Sequence, residues 1–211
     1  MKNLLHNTYL IMAIIILIAS SMYSCSKNGE NNNAAIPYSK LCNGDIVFRR
    51  GISFSSNIIL SKSNDCLYSH IGIVYKKDTT WCVIHAVNDE PEFDGDFDRI
   101  KIDKIEDFFA PERASAGAIY HSWLEDSISK YITNNAFQMV QDSVHFDANF
   151  DLNDSKQMYC TEFIYYLYNT VGYDITEGRR TKVGVLCFPD EIIFPGDIQK
   201  NKKLRIYFEF Q

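Results

Sequence analysis

The chain has 211 residues, enough for one domain or for one domain with an appendage. Apolar residues make up 46% of it and aromatic residues 14%, which is ample for a packed core. The formal net charge of -6 argues against a nucleic-acid partner, because phosphate binding requires clustered Lys and Arg.

The first 36 residues carry the features of an export signal followed by a tether. An apolar run from Tyr9 to Ala19 follows a basic residue and is too short to cross a bilayer comfortably. Cys25 comes soon after this run, where a bacterial lipoprotein has its lipidated cysteine. We therefore predict a lipoprotein-type signal peptide at 1–25, a polar tether at 26–36 and one domain at 37–211. An ordinary cleaved signal peptide and an uncleaved anchor are the alternatives.

Within the domain, short apolar runs bounded by turn residues predict several strands. They are expected at 44–48, 69–75, 81–87, 100–102, 116–120 and 204–208. Ser55 is expected to cap a short helix that ends near Asn64. Apolar residues at three- and four-residue steps predict one helix from Asp126 to Val144 and another from Cys160 to just before Gly172. Strands lying between two helical parts indicate an α+β fold.

The second of these long helices begins with a cysteine, in the run Gln157 to Tyr168 (QMYCTEFIYYLY). Unpaired N–H groups at a helix start favour the thiolate, which is the nucleophilic form. The sequence therefore predicts a lowered pKa and a nucleophilic role for Cys160, unless its side chain is simply buried packing. The chain has six cysteines, and five remain without Cys25. An exported protein with an odd number keeps a thiol unpaired or bridged to another molecule.

Two histidines precede this cysteine on strands that we predict to be neighbours. His70 and His85 flank a polar turn at 76–80, so a hairpin there brings their side chains within hydrogen-bonding distance. A thiol nucleophile requires a base and a group that orients the base. Each histidine can alternatively be structural. A metal site formed by both histidines and Cys160 lacks a recognisable fourth ligand, so we expect no metal and no cofactor.

Three segments of the chain resemble one known family. They are the strand from Gly44 to Phe48 (GDIVF), the run from Ser69 to Ile73 (SHIGI) and the segment from Tyr159 to Glu162 (YCTE). Together they are similar to the YiiX/YebB-like group of permuted papain-like, NlpC-type cysteine hydrolases, which is related to the lecithin retinol acyltransferase-like branch. The histidine precedes the cysteine here, whereas papain has the reverse order. The resemblance spans Leu41 to Ile193.

This resemblance implies a circularly permuted papain-like fold, with an antiparallel sheet packed against the helix that carries the nucleophile. It implies that Cys160 is the nucleophile, that His70 is the general base and that His85 is the third polar residue. Many relatives carry Glu at that third position. The backbone N–H of Cys160 would donate to the oxyanion. The residues flanking these segments, which we expect to bind substrate, are Tyr68, Trp81 and Tyr159.

The sequence therefore predicts an exported cysteine hydrolase, held at the membrane of the bacterial cell envelope by a lipid on Cys25. The enzyme would cleave an amide or ester bond through a thiol acyl-enzyme. Its substrate would be a peptidoglycan peptide, an acyl-lipid or an acyl-amine. One alternative is an acyltransferase on lipid-like substrates, which His85 favours. The other is a non-catalytic envelope lipoprotein that binds a ligand in the cleft or holds Cys160 in a disulfide.

Overall fold

A six-stranded antiparallel sheet forms the centre of the protein. The structure is a computed structural model that describes residues 35–62, 66–154, 156–183 and 189–211, and these belong to one compact unit. The predicted signal peptide with Cys25, most of the predicted tether, and Cys187 lie outside the described residues. No helix among the described residues is long and apolar enough to cross a membrane.

The sheet contains all six strands that the sequence predicts, with their ends displaced by up to three residues. They are β1 (Ile46–Gly51), β2 (His70–Lys77), β3 (Thr80–Val87), β4 (Arg99–Lys104), β5 (Ala114–His121) and β8 (Arg205–Phe210). Their order across the sheet is β4-β3-β2-β1-β5-β8. A second, two-stranded sheet pairs β6 (Thr181–Lys182) with β7 (Glu191–Ile192). These two strands are too short to leave an alternating pattern in the sequence.

The hairpin between β2 and β3 sets the register of the central strands. Only two residues separate these strands, and the first, Asp78, takes a left-handed backbone conformation with φ 54°. Such a conformation suits the tight turn of a two-residue hairpin. Lys77 is therefore opposite Thr80 and Ile73 is opposite Ile84. This register fixes which β3 side chains lie on each face of the sheet, because successive side chains along a strand alternate between the two faces.

The described residues also form five α-helices. They are α1 (Phe54–Lys62), α2 (Ile105–Phe108), α3 (Asp126–Gln141), α4 (Cys160–Asn169) and α5 (Pro195–Gln199). The sequence predicted α1, α3 and α4, whereas α2 and α5 are too short to show a helical period. The predicted cap of α1 is wrong by two residues, because the Ser56 N–H donates to Ser53 Oγ at 3.2 Å. Ser53, rather than Ser55, is therefore the N-cap.

The helix α4 is held against one face of the sheet by a continuous apolar stripe. Its side chains Phe163, Ile164 and Leu167 are fully buried, in the same cluster as Ile71 of β2 and Ile84 of β3. Each such side chain stabilises the fold by about 1.5–3 kcal/mol relative to an exposed position. The stripe therefore fixes the start of α4, where Cys160 lies, against the sheet.

The opposite face of the sheet is covered by the short helix α2. Its Phe108 is fully buried with Val74 of β2 and Val83 of β3 in a second apolar cluster. The Phe108 ring also contacts both hairpin histidines, with ring centroids 5.8 Å from His70 and 5.2 Å from His85. These two imidazoles are therefore enclosed between the sheet and α2.

Candidate active site

His70 and His85 form a hydrogen-bonded pair of imidazoles. His70 Nε2 lies 2.8 Å from His85 Nδ1, so the hydrogen bond expected from the hairpin is present. His85 is fully buried and His70 is 8% exposed. Gly72 leaves space for this arrangement, because a Cβ there would lie 2.4 Å from Val83 Cγ1 and 3.2 Å from His85 Cβ.

A carboxylate that the sequence analysis did not single out lies behind His85. Asp103 Oδ2 is 3.1 Å from His85 Nε2 and 2.8 Å from Arg113 Nη1. Lys101 Nζ is 3.5 Å from the same oxygen. Burial by itself raises the pKa of Asp103, but the hydrogen bond from His85 and the charges of Lys101 and Arg113 hold it well below its usual value. Asp103 is therefore ionised at neutral pH.

These contacts determine where the protons lie on both rings. A carboxylate can only accept, so His85 Nε2 carries a hydrogen and donates it to Asp103. In the neutral ring His85 Nδ1 is then an acceptor, and the His70 Nε2–H donates to it. The lone pair of His70 is consequently on Nδ1. Asp103 thus selects, through His85, the tautomer in which His70 can take up a proton at Nδ1.

Cys160 lies at the start of α4 and lines the same cavity as His70. It is 7% exposed, and the backbone N–H of Ile71, the residue after His70, acts to lower the pKa of its thiol. Among the described cysteines, Cys42, Cys82 and Cys160 carry free thiols. The structure therefore places Cys160 and His70, the predicted nucleophile and base, on one cavity, and His85 reaches that cavity only through its hydrogen bond to His70.

The predicted lowering of the Cys160 pKa is wrong. Burial raises the pKa of this thiol to about 11, although the N–H groups of Thr161 and Ile71 and the charge of Arg49 each lower it. Burial also lowers the pKa of His70 well below its usual value, and the charge of Arg49 adds to this. Desolvation thus outweighs the field of the helix start. The resting pair is a neutral thiol and a neutral imidazole.

A buried arginine places positive charge beside both groups. Arg49 is opposite His70 in the β1–β2 pair and is 3% exposed. Its guanidinium donates to the Phe108 carbonyl at 3.1 Å and forms an ion pair with Glu90. Within the described part of the chain, its Nε–H has no hydrogen-bond partner. Arg49 therefore contributes positive charge to the wall of the cavity, which it lines.

The cavity has a volume of about 340 Å³ and two chemically different parts. One part contains Cys160, His70 and Arg49, and the polar lining of the cavity also includes Lys62, Asn88 and Glu90. The other is walled by apolar side chains from α1, from the loop before α4 and from the β6–β7 region: Ile59, Phe146, Phe150, Val183, Ile192 and Phe194. Several of these belong to an apolar cluster of their own that includes Tyr159. A cavity of this size and composition suits a small ligand with an apolar portion.

Of the three expected substrate-binding residues, the structure brings one to the cavity. Tyr159 lines it, and its hydroxyl oxygen accepts the Ile193 N–H at 3.1 Å. Tyr68 is buried in the main core and its hydroxyl donates to Glu209 at 2.9 Å. Trp81 lies near the turn end of β3, where Lys76 Nζ is 4.9 Å from its ring centroid. Trp81 was misplaced because β3 extends away from His85 along its length. Tyr68 was misplaced because its side chain packs into the main core instead of the cavity.

A cysteine at the start of a buried helix, with a strand-borne histidine earlier in the chain, is the arrangement of permuted papain-like cysteine hydrolases. The chain belongs to the permuted papain-like amidase enzymes of the YaeF/YiiX C92 family, which it matches over residues 40–192. The predicted family, fold class and cysteine-hydrolase class are therefore confirmed.

The fold is shared with solved structures, one of which is the crystal structure of metalloprotein yiiX from Escherichia coli O157:H7, with a TM-score of 0.64 and 16% sequence identity. The similarity covers 80% of this chain and 97% of that chain. Comparison with proteins of curated function gives no match.

Proposed function

We propose that the protein is a thiol amidase or esterase that takes an apolar acyl group onto Cys160 and releases it to water. The observation that carries this proposal is a single cavity in which Cys160 and His70 adjoin an apolar wall. Membership of the permuted papain-like amidases supports cysteine hydrolase chemistry. The apolar side chains that line the cavity support an apolar acyl group.

The reaction begins with proton transfer, because both partners are neutral at rest. His70 Nδ1 accepts the Cys160 S–H proton as the sulfur attacks the carbonyl carbon. The developing oxyanion accepts a hydrogen bond from the Cys160 backbone N–H, and the charge of Arg49, which lines the same cavity, stabilises it further. The proton then passes from His70 Nδ1 to the leaving amine or alkoxide, and a thioester remains. Water attacks this thioester with His70 again as the base.

The remaining groups stabilise the imidazolium that forms at each step. The Nε2–H of His70 continues to donate to His85, and His85 continues to donate to Asp103. The ionised carboxylate of Asp103 attracts the positive charge on His70. His85 and Asp103 are therefore positioning residues, whereas Cys160 and His70 react.

Between the substrate classes considered, the cavity favours an acyl-lipid or acyl-amine over a peptidoglycan peptide. A peptide of the cell wall carries charged groups that need charged or polar partners along its length. The wall beyond Cys160 offers Phe146, Phe150 and Ile192, which gain by covering a hydrocarbon chain at about 25 cal/mol per Å² buried. We therefore assign the apolar part of the cavity to the acyl chain.

The test uses p-nitrophenyl esters and the matching N-acyl amines with acyl chains of increasing length. We expect kcat/KM to rise with chain length, and intact-mass spectra to show the acyl group on Cys160. Cys160→Ala and His70→Ala should each lower kcat by at least about 10³-fold. A peptidoglycan peptide cleaved faster than every acyl substrate would contradict the substrate assignment. Activity that survives Cys160→Ala would contradict the chemistry.

The same experiment separates hydrolysis from acyl transfer to an acceptor. Cys160 is 7% exposed and adjoins an apolar wall, so access of water to the thioester is restricted. Adding a long-chain amine or alcohol therefore tests the acyltransferase alternative directly. Hydrolysis is supported if free fatty acid remains the main product, and transfer is supported if the acylated acceptor replaces it.

We further propose that the enzyme is exported and held at a membrane of the cell envelope by a lipid on Cys25. The apolar run from Tyr9 to Ala19 and the position of Cys25 support this location. We expect the wild-type protein in the membrane fraction and a lipid-dependent mass increase. Both should be lost in Cys25→Ala. Equal amounts of the wild-type protein and of Cys25→Ala in the membrane fraction would contradict the lipid anchor.

A further inference from the structure

Three side chains with metal-binding atoms meet at the end of β1 farthest from the cavity. Asp45 directly precedes β1, Cys42 lies in the turn before it, and His121 is the last residue of β5. The β1–β5 register, with Ile46 opposite Tyr120, brings Asp45 beside His121. One ligand atom from each of the three side chains lies within 4.8 Å of the other two. His121 Nδ1 is 2.9 Å from Asp45 Oδ1.

The carboxylate and the imidazole of this cluster are held by outer contacts. The Tyr207 hydroxyl donates to Asp45 Oδ2 at 2.7 Å, and the Cys42 backbone N–H donates to the same oxygen at 2.9 Å. The His121 ring stacks on the Tyr207 ring with centroids 3.9 Å apart. Outer contacts of this kind orient the ligands of metal sites. They occupy Oδ2 and leave Oδ1 directed toward His121.

The charge of the cluster also suits a cation. A thiolate at Cys42 and the carboxylate of Asp45 together neutralise a divalent ion. Cys42 is exposed and the His121 side chain is 38% exposed, so an ion can reach the cluster from solvent.

We propose that Cys42, Asp45 and His121 bind a divalent transition-metal ion of the Zn²⁺ type, with water as the fourth ligand. Thiolate, imidazole and carboxylate are the ligands that Zn²⁺ takes in proteins, at about 2.0–2.3 Å. A tetrahedral ion with these bond lengths spaces its ligand atoms about 3.3–3.6 Å apart. The 2.9 Å contact between His121 and Asp45 therefore needs to open by less than about 1 Å.

Binding exchanges hydrogen bonds for metal bonds and releases one proton. The Cys42 S–H bond breaks, its proton goes to solvent, and the sulfur binds the ion. The His121 hydrogen moves from Nδ1 to Nε2, so that the Nδ1 lone pair faces the ion. Asp45 Oδ1 then binds the ion instead of accepting the His121 N–H. The hydrogen bond from the Cys42 thiol to the Lys40 carbonyl, 3.7 Å long, is also lost.

This site is separate from the reaction at Cys160. Asp45 and Arg49 are four residues apart along β1, which is about 13 Å of strand. The ion would join the turn before β1 to the end of β5, and through Tyr207 to β8. Its expected effect is therefore on stability rather than on turnover.

The test adds Co²⁺ to the full-length protein and records its absorption spectrum, since Co²⁺ reports thiolate and tetrahedral ligands. We expect one equivalent to bind, with a thiolate-to-Co²⁺ band in the near ultraviolet that Zn²⁺ abolishes. The band should disappear in Cys42→Ser and persist in Cys82→Ser and Cys160→Ser. His121→Gln should weaken binding by about 10–100-fold. Circular dichroism of each variant checks that it is folded.

Thermal unfolding gives a second, independent measurement. Zn²⁺ should raise the Tm of the wild-type protein and of Cys160→Ser, but not that of Cys42→Ser. Hydrolytic activity should be the same in Cys42→Ser and wild type. Absence of a thiolate band in the wild-type protein would overturn the proposal. So would a band that survives Cys42→Ser and disappears in Cys160→Ser, because the metal would then bind the catalytic thiol.

Discussion

The carboxylate of this site acts on the base through an intervening imidazole. The path from His70 Nε2 through the His85 ring to Asp103 Oδ2 is about 8 Å, from two contacts of 2.8 and 3.1 Å and the width of the ring. At an effective dielectric constant of about 20, two unit charges attract by about 4 kcal/mol at 4 Å and by about 2 kcal/mol at 8 Å. Asp103 therefore retains about half the attraction that a carboxylate about 4 Å away would exert, and it fixes the tautomer of both rings.

Asp103→Asn tests the tautomer directly. If the Asn NH₂ group faces His85 Nε2, both hydrogen bonds reverse and His70 carries its hydrogen on Nδ1. If the Asn oxygen stays there to accept from Arg113, the tautomer is kept but the charge that stabilises the imidazolium is lost. We expect kcat to fall by about 10²–10⁴-fold with little change in KM, as when a triad carboxylate is replaced. Asp107→Asn, at an exposed position on α2, is the matched control. An unchanged kcat in Asp103→Asn would exclude the proposed role.

The pH dependence of activity follows from the two neutral reactants. Activity requires His70 in its neutral form, and its pKa lies well below the usual value, so neutral His70 is lost only as the pH falls into the acidic range. The thiol ionises near pH 11. We therefore expect kcat/KM to be constant between about pH 7 and pH 9.

Thiolate absorption in the ultraviolet provides the corresponding spectroscopic measurement. The difference between wild type and Cys160→Ser should be flat through neutral pH and should rise only toward pH 11. A thiolate signal at pH 6 that is lost in His70→Ala would instead indicate a preformed ion pair and would contradict the neutral resting state.

At the scale of elements, the first turn of α4 combines two opposing requirements. Glu162 accepts the Tyr159 backbone N–H at 3.3 Å, which satisfies one orphan donor at the helix start. Burial, with a smaller contribution from the nearby carboxylates Asp147 and Asp151, nevertheless raises the pKa of Glu162 to about 8. The helix start is thus capped by a carboxyl group whose ionised form destabilises the folded state.

Glu162 should make stability depend on pH. The folded protein keeps a proton on this carboxyl that the unfolded chain releases near pH 4.5, so folding stability falls as the pH rises from about 4.5 to 8. Glu162→Gln retains an acceptor for the cap without the charge. We expect it to stabilise the protein at pH 8 by about 1–2 kcal/mol, which raises the Tm by about 2–8 °C.

The Tm measurement needs two controls. One is the same variant at a lower pH, and the other is a Glu→Gln substitution at an exposed position. The gain from Glu162→Gln should be much smaller at pH 5, where the wild-type carboxyl is already protonated. Glu112→Gln, at an exposed position, should change the Tm little at either pH. Equal gains at pH 5 and pH 8 would show that ionisation of Glu162 does not limit stability.

The helices and strands that could be predicted from the sequence are those in which apolar and polar residues follow a regular pattern over several positions. Strands β1 to β5 and helices α3 and α4 show alternation or a helical period, and turn residues mark where they end. The short helix α2 spans only one turn, yet its Phe108 encloses both histidines. Nothing in four residues distinguishes such a turn from a loop.

The site residues that could be predicted from the sequence are those whose residue type is unusual for the strand or helix that carries them. Two histidines in a hairpin and a cysteine at a helix start are conspicuous. Asp103 is not, because alternating charged residues on a strand are usually solvated. The alternation of Lys101 and Asp103 on β4, on the face that His85 shares, was the available signal. Predicting that Arg49 lies beside His70 requires the register of β1 and β2. Predicting the raised pKa of Cys160 requires knowing how deeply its side chain is buried.

At the scale of the whole molecule, the cavity is assembled from parts that are distant in sequence. Ile59 comes from α1, Phe150 from the loop before α4, and Ile192 from β7. None of these three residues takes part in the bond-forming steps proposed for Cys160 and His70. In the proposed reaction, we therefore expect substitutions at these positions to change the preference for the acyl chain without changing the steps at Cys160 and His70.

Ile59→Asn tests this separation. A polar amide in the wall should lower kcat/KM for long-chain substrates by about 10-fold or more, because one pocket contact is worth about 1–3 kcal/mol. Activity on an acetyl substrate should change little. Ile206→Asn, at an exposed position on β8, is the control. An equal loss on short and long substrates would contradict an acyl-chain role for this wall.

The order of the strands also bears on how the chain folds. His70 and His85 are 15 residues apart, and His85 and Asp103 are 18 apart, on three consecutive strands of one meander. Contacts close in sequence have the smaller loop-closure cost and form sooner than distant ones. Cys160 joins from far downstream. The histidine pair and Asp103 should therefore be protected from amide exchange earlier in refolding than the start of α4, so that the enzyme acquires its base before its nucleophile.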